Sequence, residues 1–178
     1  VGAITLTDGA TINAGSGTIT MTAPDDITLS GLSTTNATTS AVSVTSTAGG
    51  ILDAGNTNVD IVANNAAART TLSAATGIGV ANGLETTIGN LVATNSGTAG
   101  NITIAETDAL VIRNAAQTNA GASAGNIDIT AVGAVTVEAV GTGGTGVTID
   151  GLAASTGTIT LAATGNGNSL GVAHNVTS

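Results

Sequence analysis

The sequence predicts an all-β fold, a parallel β-helix of about seven or eight coils with uncapped ends and a coil spacing of about 4.8 Å. Three observations predict it. Apolar and polar residues alternate in short runs along the chain: AITLTDG, GTITMTA, DITLSG, AVSVTS, NVDIVA, NITIAE and NIDITAVGAVTVEAV. The apolar centres recur, with Ile4, Ile12, Ile19 and Ile27 about eight residues apart and GNI at Gly100 returning at Gly125. The chain has no aromatic residue, so its core must be thin, aliphatic and repetitive, which suits a column better than a sphere.

Each run reads as a strand because Ile, Val and Thr are branched at Cβ and favour a pleated surface. Gly, Asn, Asp and Ser between the runs supply the turns. Ile102 and Ile104, Ile127 and Ile129, and Val135 and Val137 are expected to point inward, with Thr103, Asp128 and Thr136 outward. AAARTTLSAA near residue 70 could pass for a helix, but its threonine pair and the following GIGV favour a strand. TTNATTS (34–40) and NAAQTNAGASAG (114–125) read as loops. Three short strands make a unit of about 20–30 residues that cannot bury its apolar face alone, whereas stacked copies can. An antiparallel sandwich fits less well, since hairpin dipeptides such as Asn-Gly are scarce. The whole of 1–178 is expected to be a single β-helical segment of a longer chain or filament.

Charge narrows the partners. The formal net charge is −9, the only permanent cations are Arg69 and Arg113, and there is no cysteine. Nucleic acid and anionic membrane surfaces need clustered Lys or Arg, so neither is expected. No apolar run reaches the length of a membrane helix, and a disulfide scaffold is excluded.

From Leu72 onward, LSAATGIGVANGLETTIGNLVATNSGTAGNITIAETDALVIRNA and GNIDITAVGAVTVEAV resemble the repeat regions of filamentous-haemagglutinin-like proteins, large bacterial exoproteins. The resemblance covers about residues 69–140, with a weaker echo in GTITLAATGNG at 157–167. It implies a right-handed β-helical shaft, secretion to the cell surface, and adhesion or matrix building. It brings no catalytic residues with it.

Sites of chemistry are sparse. GTGGTG (141–146) matches a dinucleotide-binding fingerprint literally, but the following VTIDG reads as a strand where a helix is needed. GGTGVTIDG (143–151) approaches a calcium β-roll repeat, except that Thr148 stands where aspartate is required. Asp25 with Asp26, and Glu106 with Asp108, are the dense acidic pairs and read as solvated turn residues. His174 is the single histidine and has no cysteine to help it hold zinc. The sequons at Asn36, Asn101 and Asn175 are as frequent as chance allows. Thr5 and Thr7, Thr18 and Thr20, and Thr20 and Thr22 could form a hydroxyl ladder, which Ala105, Glu138 and Asp150 then interrupt. The expectation is therefore no catalytic, cofactor-binding or metal residue and no enzymatic activity. The expected role is a structural segment of an extracellular fibrous surface protein, an adhesin shaft or self-assembled filament that meets copies of itself or neighbouring repeats end to end, and a host or matrix surface. The alternative is a Thr/Asn face that binds ice, glycan or mineral.

Overall fold

The computed structural model describes residues 2–97, 100–120, 125–138, 146–151, 157–173 and 176–177. Among these every regular element is a strand, and every strand pairing is parallel. The first level comprises β1 (Ile4–Thr5), β2 (Thr11–Asn13) and β3 (Ile19–Ala23). Above it lie β4 (Ile27–Leu29), β5 (Gly31–Ser33) and β6 (Val42–Ser46), then β7 (Ile51–Asp53), β8 (Ile61–Ala63) and β9 (Arg69–Ala74). The next level has β10 (Leu84–Ile88) and β11 (Asn90–Asn95), followed by β12 (Ile102–Glu106) and β13 (Leu110–Ala120). Last come β14 (Ile127–Ala131), β15 (Val135–Val137) and β16 (Gly146–Gly151), then β17 (Ile159–Ala163), β18 (Leu170–Val172) and β19 (Val176–Thr177).

The eight-residue spacing becomes geometry here. Ile4, Ile12 and Ile19 lie on three successive walls, and Ile27 returns to stand over Ile4. The first wall carries one isoleucine column: Ile4, Ile27, Ile51, Ile78, Ile102, Ile127 and Ile159, each paired with the next. The Gly100 and Gly125 repeats place Asn101 and Asn126 in register beside it. Asn101 Oδ1 accepts the Asn126 amide at 2.9 Å, and Asn126 Oδ1 accepts the Thr158 amide at 2.9 Å. GTIT also recurs, at Gly17 and Gly157, but Ile19 stands on the third wall and Ile159 on the first, so this recurrence marks no shared column.

The solenoid has about five turns. This is slightly fewer than the seven or eight expected. The second-wall column is nevertheless seven strands deep. The ends, expected to be bare alike, are unequal. β3 keeps Ile19, Met21 and Ala23 buried, whereas β18 exposes Leu170 by 45% and Val172 by 53%.

Inward positions follow the alternation. Ile102, Ile104, Ile127, Ile129, Val135 and Val137 are buried, and Thr103, Asp128 and Thr136 are half-buried on the outer side. The stretch near residue 70 is a strand and 34–40 is a loop, both as expected. The 114–125 loop is corrected: β13 continues to Ala120, and 121–124 lie outside the described residues. A register shift opposite Leu91/Val92 leaves Arg113 unpaired in the ladder, after which Ala115 and Gln117 turn inward and Ala116, beside Thr94, is buried on the outer side. Alanines that read as loop composition are core residues.

The column predicts a contrast between two truncations. Ile102→Ala leaves a cavity between buried neighbours and should cost about 2–5 kcal/mol. Ile12→Ala, at a position 41% exposed, should cost under about 1 kcal/mol. Urea unfolding of the two variants measures both.

Candidate functional site

In the third and fourth levels, a loop separates the first wall from the second. Residues 54–60 run between β7 and β8, and 79–83 run from Ile78 to β10. From β12 upward one strand serves both walls, since Ile102 stands over Ile78 while Ile104 stands over Leu84. The two loops therefore lie next to each other where the walls part. Gly79 makes the second loop possible. Its φ is +63°, and a Cβ there would stand 2.3 Å from the Thr103 carbonyl oxygen.

Beneath these loops three carboxylates converge. Asp53, Asp60 and Glu85 each place an oxygen within 4.8 Å of the other two. Asp60 and Glu85 lie on the outer side of the wall, next to the paired Ile61 and Thr86. The loops nonetheless bury Asp60 completely. The Glu85 amide donates to Asp60 Oδ2 at 3.0 Å, and the Gly55 amide donates to Asp53 Oδ1 at 2.7 Å. Asn82 Nδ2 donates to Asp53 Oδ2 and to Asn56 Oδ1, joining one loop to the other. Asp60 Oδ1 and Glu85 Oε2 are buried and receive no hydrogen bond. Burial, then the Asp53 and Glu85 charges, push the Asp60 carboxyl up to about 8. Burial and the Asp53 charge also raise Glu85.

A second buried acid behaves differently. Glu106 was expected to be a solvated turn residue, yet it is 2% exposed and points inward in the column Ile61, Thr86, Glu106, Ala131. Its oxygens are filled. Thr86 Oγ1 donates at 2.7 Å, and the amides of Ile88, Thr107 and Asp108 donate at 3.0–3.3 Å. Glu106 ties the chain at the corner after β12 to the corner after β10. Burial still pushes its carboxyl up to about 8, against those hydrogen bonds.

The other acids expected in turns are there. Asp25 and Asp26 are exposed, accepting the Gly2 amide at 3.1 Å and the Gly50 amide at 2.8 Å. Asp108 Oδ2 accepts Asn64 Nδ2 at 2.5 Å. His174, Asn175 and 141–145 of the glycine-rich stretch lie outside the described residues, as does the Thr148 side chain. Arg113 bridges Glu138 at 2.6 Å and donates to Asn90 Oδ1 at 2.9 Å, away from the acidic cluster.

The hydroxyl ladder is more regular than the sequence suggests. On the third wall Thr20, Ser43, Thr71 and Val92 form one outward column, and Thr22, Thr45, Ser73 and Thr94 form the next. The sequence signal was weak because serine, and once valine, replaces threonine in some coils. It becomes visible only once the register is known.

Glu106 yields a pH prediction. Its carboxyl is raised in the folded state, so its stabilising contribution is full below about pH 4.5 and is lost as pH rises through about 8. Wild-type stability should therefore fall between pH 5 and pH 8. Glu106→Gln mimics the neutral acid and should remove a share of that fall on the order of a few kcal/mol. Urea midpoints at the two pH values check this, and an unchanged slope in the variant would contradict it.

The chain matches no family model, no curated protein and no solved structure.

Proposed function

We propose that the chain is a non-enzymatic structural segment of an extracellular fibrous bacterial surface protein, either an adhesin shaft or a self-assembled filament. One observation carries this reading: parallel pairing joins each level of the stack to the next around an aliphatic interior. Such a stack turns local strand pairing into length and stiffness. The outer surface is mostly Thr, Ser, Asn and Asp, which keeps a secreted rod solvated. The likeness of 69–140 to filamentous-haemagglutinin-like repeats agrees with it, as does the −9 charge, which discourages lateral clumping. The partners on this reading are neighbouring repeats or copies along the axis and a host or matrix surface at large. Surface location has a direct test. Antibodies against this segment should label intact, unpermeabilised source cells along thin projections, and label appearing only after permeabilisation would overturn the proposal.

The paired hydroxyl columns favour a second reading, a face that binds ice, glycan or mineral. Rows repeat about every 4.8 Å up the stack and columns about every 6.6 Å along a strand, a flat two-dimensional grid. Ice-recrystallisation inhibition should then be present in wild type and fall at least about tenfold in Thr45→Tyr/Ser73→Tyr, whose rings break the flatness. No inhibition by the wild type removes the ice version.

A further inference from the structure

We infer that Asp53, Asp60 and Glu85 form a site for a hard divalent cation, calcium by its chemistry, that locks loop 54–60 to loop 79–83. The inference is independent of the shaft reading. The donor set is all oxygen, which suits calcium or magnesium and not the softer metals.

Two observations separate this cluster from ordinary surface acids. The first is convergence across the stack: three carboxylates from two levels come within 4.8 Å, with neither arginine paired to any of them among the described contacts. The second is a wholly buried carboxylate with an unmet oxygen inside that convergence; the half-buried Asp108 and Asp128 also leave one oxygen unmet, but neither belongs to such a group. Asp60 is wholly buried, and its Oδ1 receives no hydrogen bond, while Glu85 Oε2 is buried and equally unmet. A buried carboxylate normally gathers donors, and Glu106 a few residues up the same wall gathers four groups. At the cluster the donors sit on the other oxygens: the Glu85 amide on Asp60 Oδ2, the Gly55 amide and Asn82 on the two oxygens of Asp53. The two free oxygens belong to two levels of the stack, so a cation between them would tie those levels together.

A single proton is a poorer solution. Burial and mutual repulsion already raise Asp60 to about 8, so the empty cluster can hold a proton. That proton serves one pair of oxygens and leaves the third carboxylate repelled. Calcium prefers six to eight oxygens and tolerates irregular geometry. Three carboxylates, some bidentate, with water and the Asn56 side-chain oxygen on the same loops, can supply them. Magnesium demands near-octahedral geometry and gives up water reluctantly, which suits a covered cluster less well.

Calcium chloride titrated calorimetrically into chelator-stripped protein at pH 8.5 tests the site. One calcium should bind per chain, and thermal unfolding in 10 mM calcium should shift up by about 5 °C or more. Asp60→Asn and Glu85→Gln should each weaken binding at least about tenfold. Asp25→Asn, at an exposed turn, should leave it unchanged. If Asp60→Asn does not fold, the half-buried Glu85→Gln carries the same comparison. Absence of binding by the wild type, equal binding by wild type and both variants, or equal affinity for magnesium and calcium would overturn the assignment.

Discussion

The structure depends on one constraint: an aliphatic side chain must stand over another at each level, on each wall. Without aromatics no single residue buries enough surface to anchor a core. Stability comes instead from repetition, a few Å of vertical pairing and one buried Ile, Val or Leu at a time. The isoleucine column from Ile4 to Ile159 is the clearest expression of this. Where a chain takes a longer path between walls, as between Asp53 and Ile61, it loops outward and returns to the same column.

The polar residues that do face inward sit where the walls turn. Asn95 and Gln117 stand over one another near the end of the third wall. Asn95 Nδ2 donates to Gln117 Oε1 at 2.7 Å, and Gln117 Nε2 donates to the Gly100 carbonyl at 2.8 Å. Ser46 Oγ accepts the Gly49 amide at 3.0 Å and donates to the Asp25 carbonyl at 2.8 Å. Asn90 Nδ2 serves the carbonyls of Ala66 and Ala68. A turning strand leaves amides and carbonyls that the level above cannot reach, and these side chains meet them. Glu106 belongs to the same set, with a carboxyl because it meets several amides at once.

This explains what could be read in advance. Period-2 alternation and the eight-residue step report which residues share a wall, so the fold class, most strands and the inward set were legible in the sequence. Composition misled at 114–120, where alanine and asparagine read as loop. There β13 runs on beside β16, and Ala115, Ala116 and Gln117 are buried. The acidic cluster was illegible. Asp53, Asp60 and Glu85 are ordinary turn residues locally, and only the parallel register places Glu85 beside Asp60.

Backbone ladders and stacked aliphatics repeat from one level to the next and join every pair of levels in much the same way. Side chains that bond across levels are therefore mechanically distinct from those that fill the core. Asp8 reaches Thr57, 49 residues on, at 2.6 Å, and Asn64 reaches Asp108, 44 residues on. Most such bonds lie on the exterior, in water, where each contributes little. Glu106 with Thr86 and the Asn95–Gln117 pair are buried exceptions, and so is the acidic cluster, since the loops exclude water from Asp60. A charge brought there acts in a low dielectric, with more force per contact than any exposed Thr or Asn bond. Among the described residues, this dry carboxylate cluster is where a small ligand would most alter how two levels hold together.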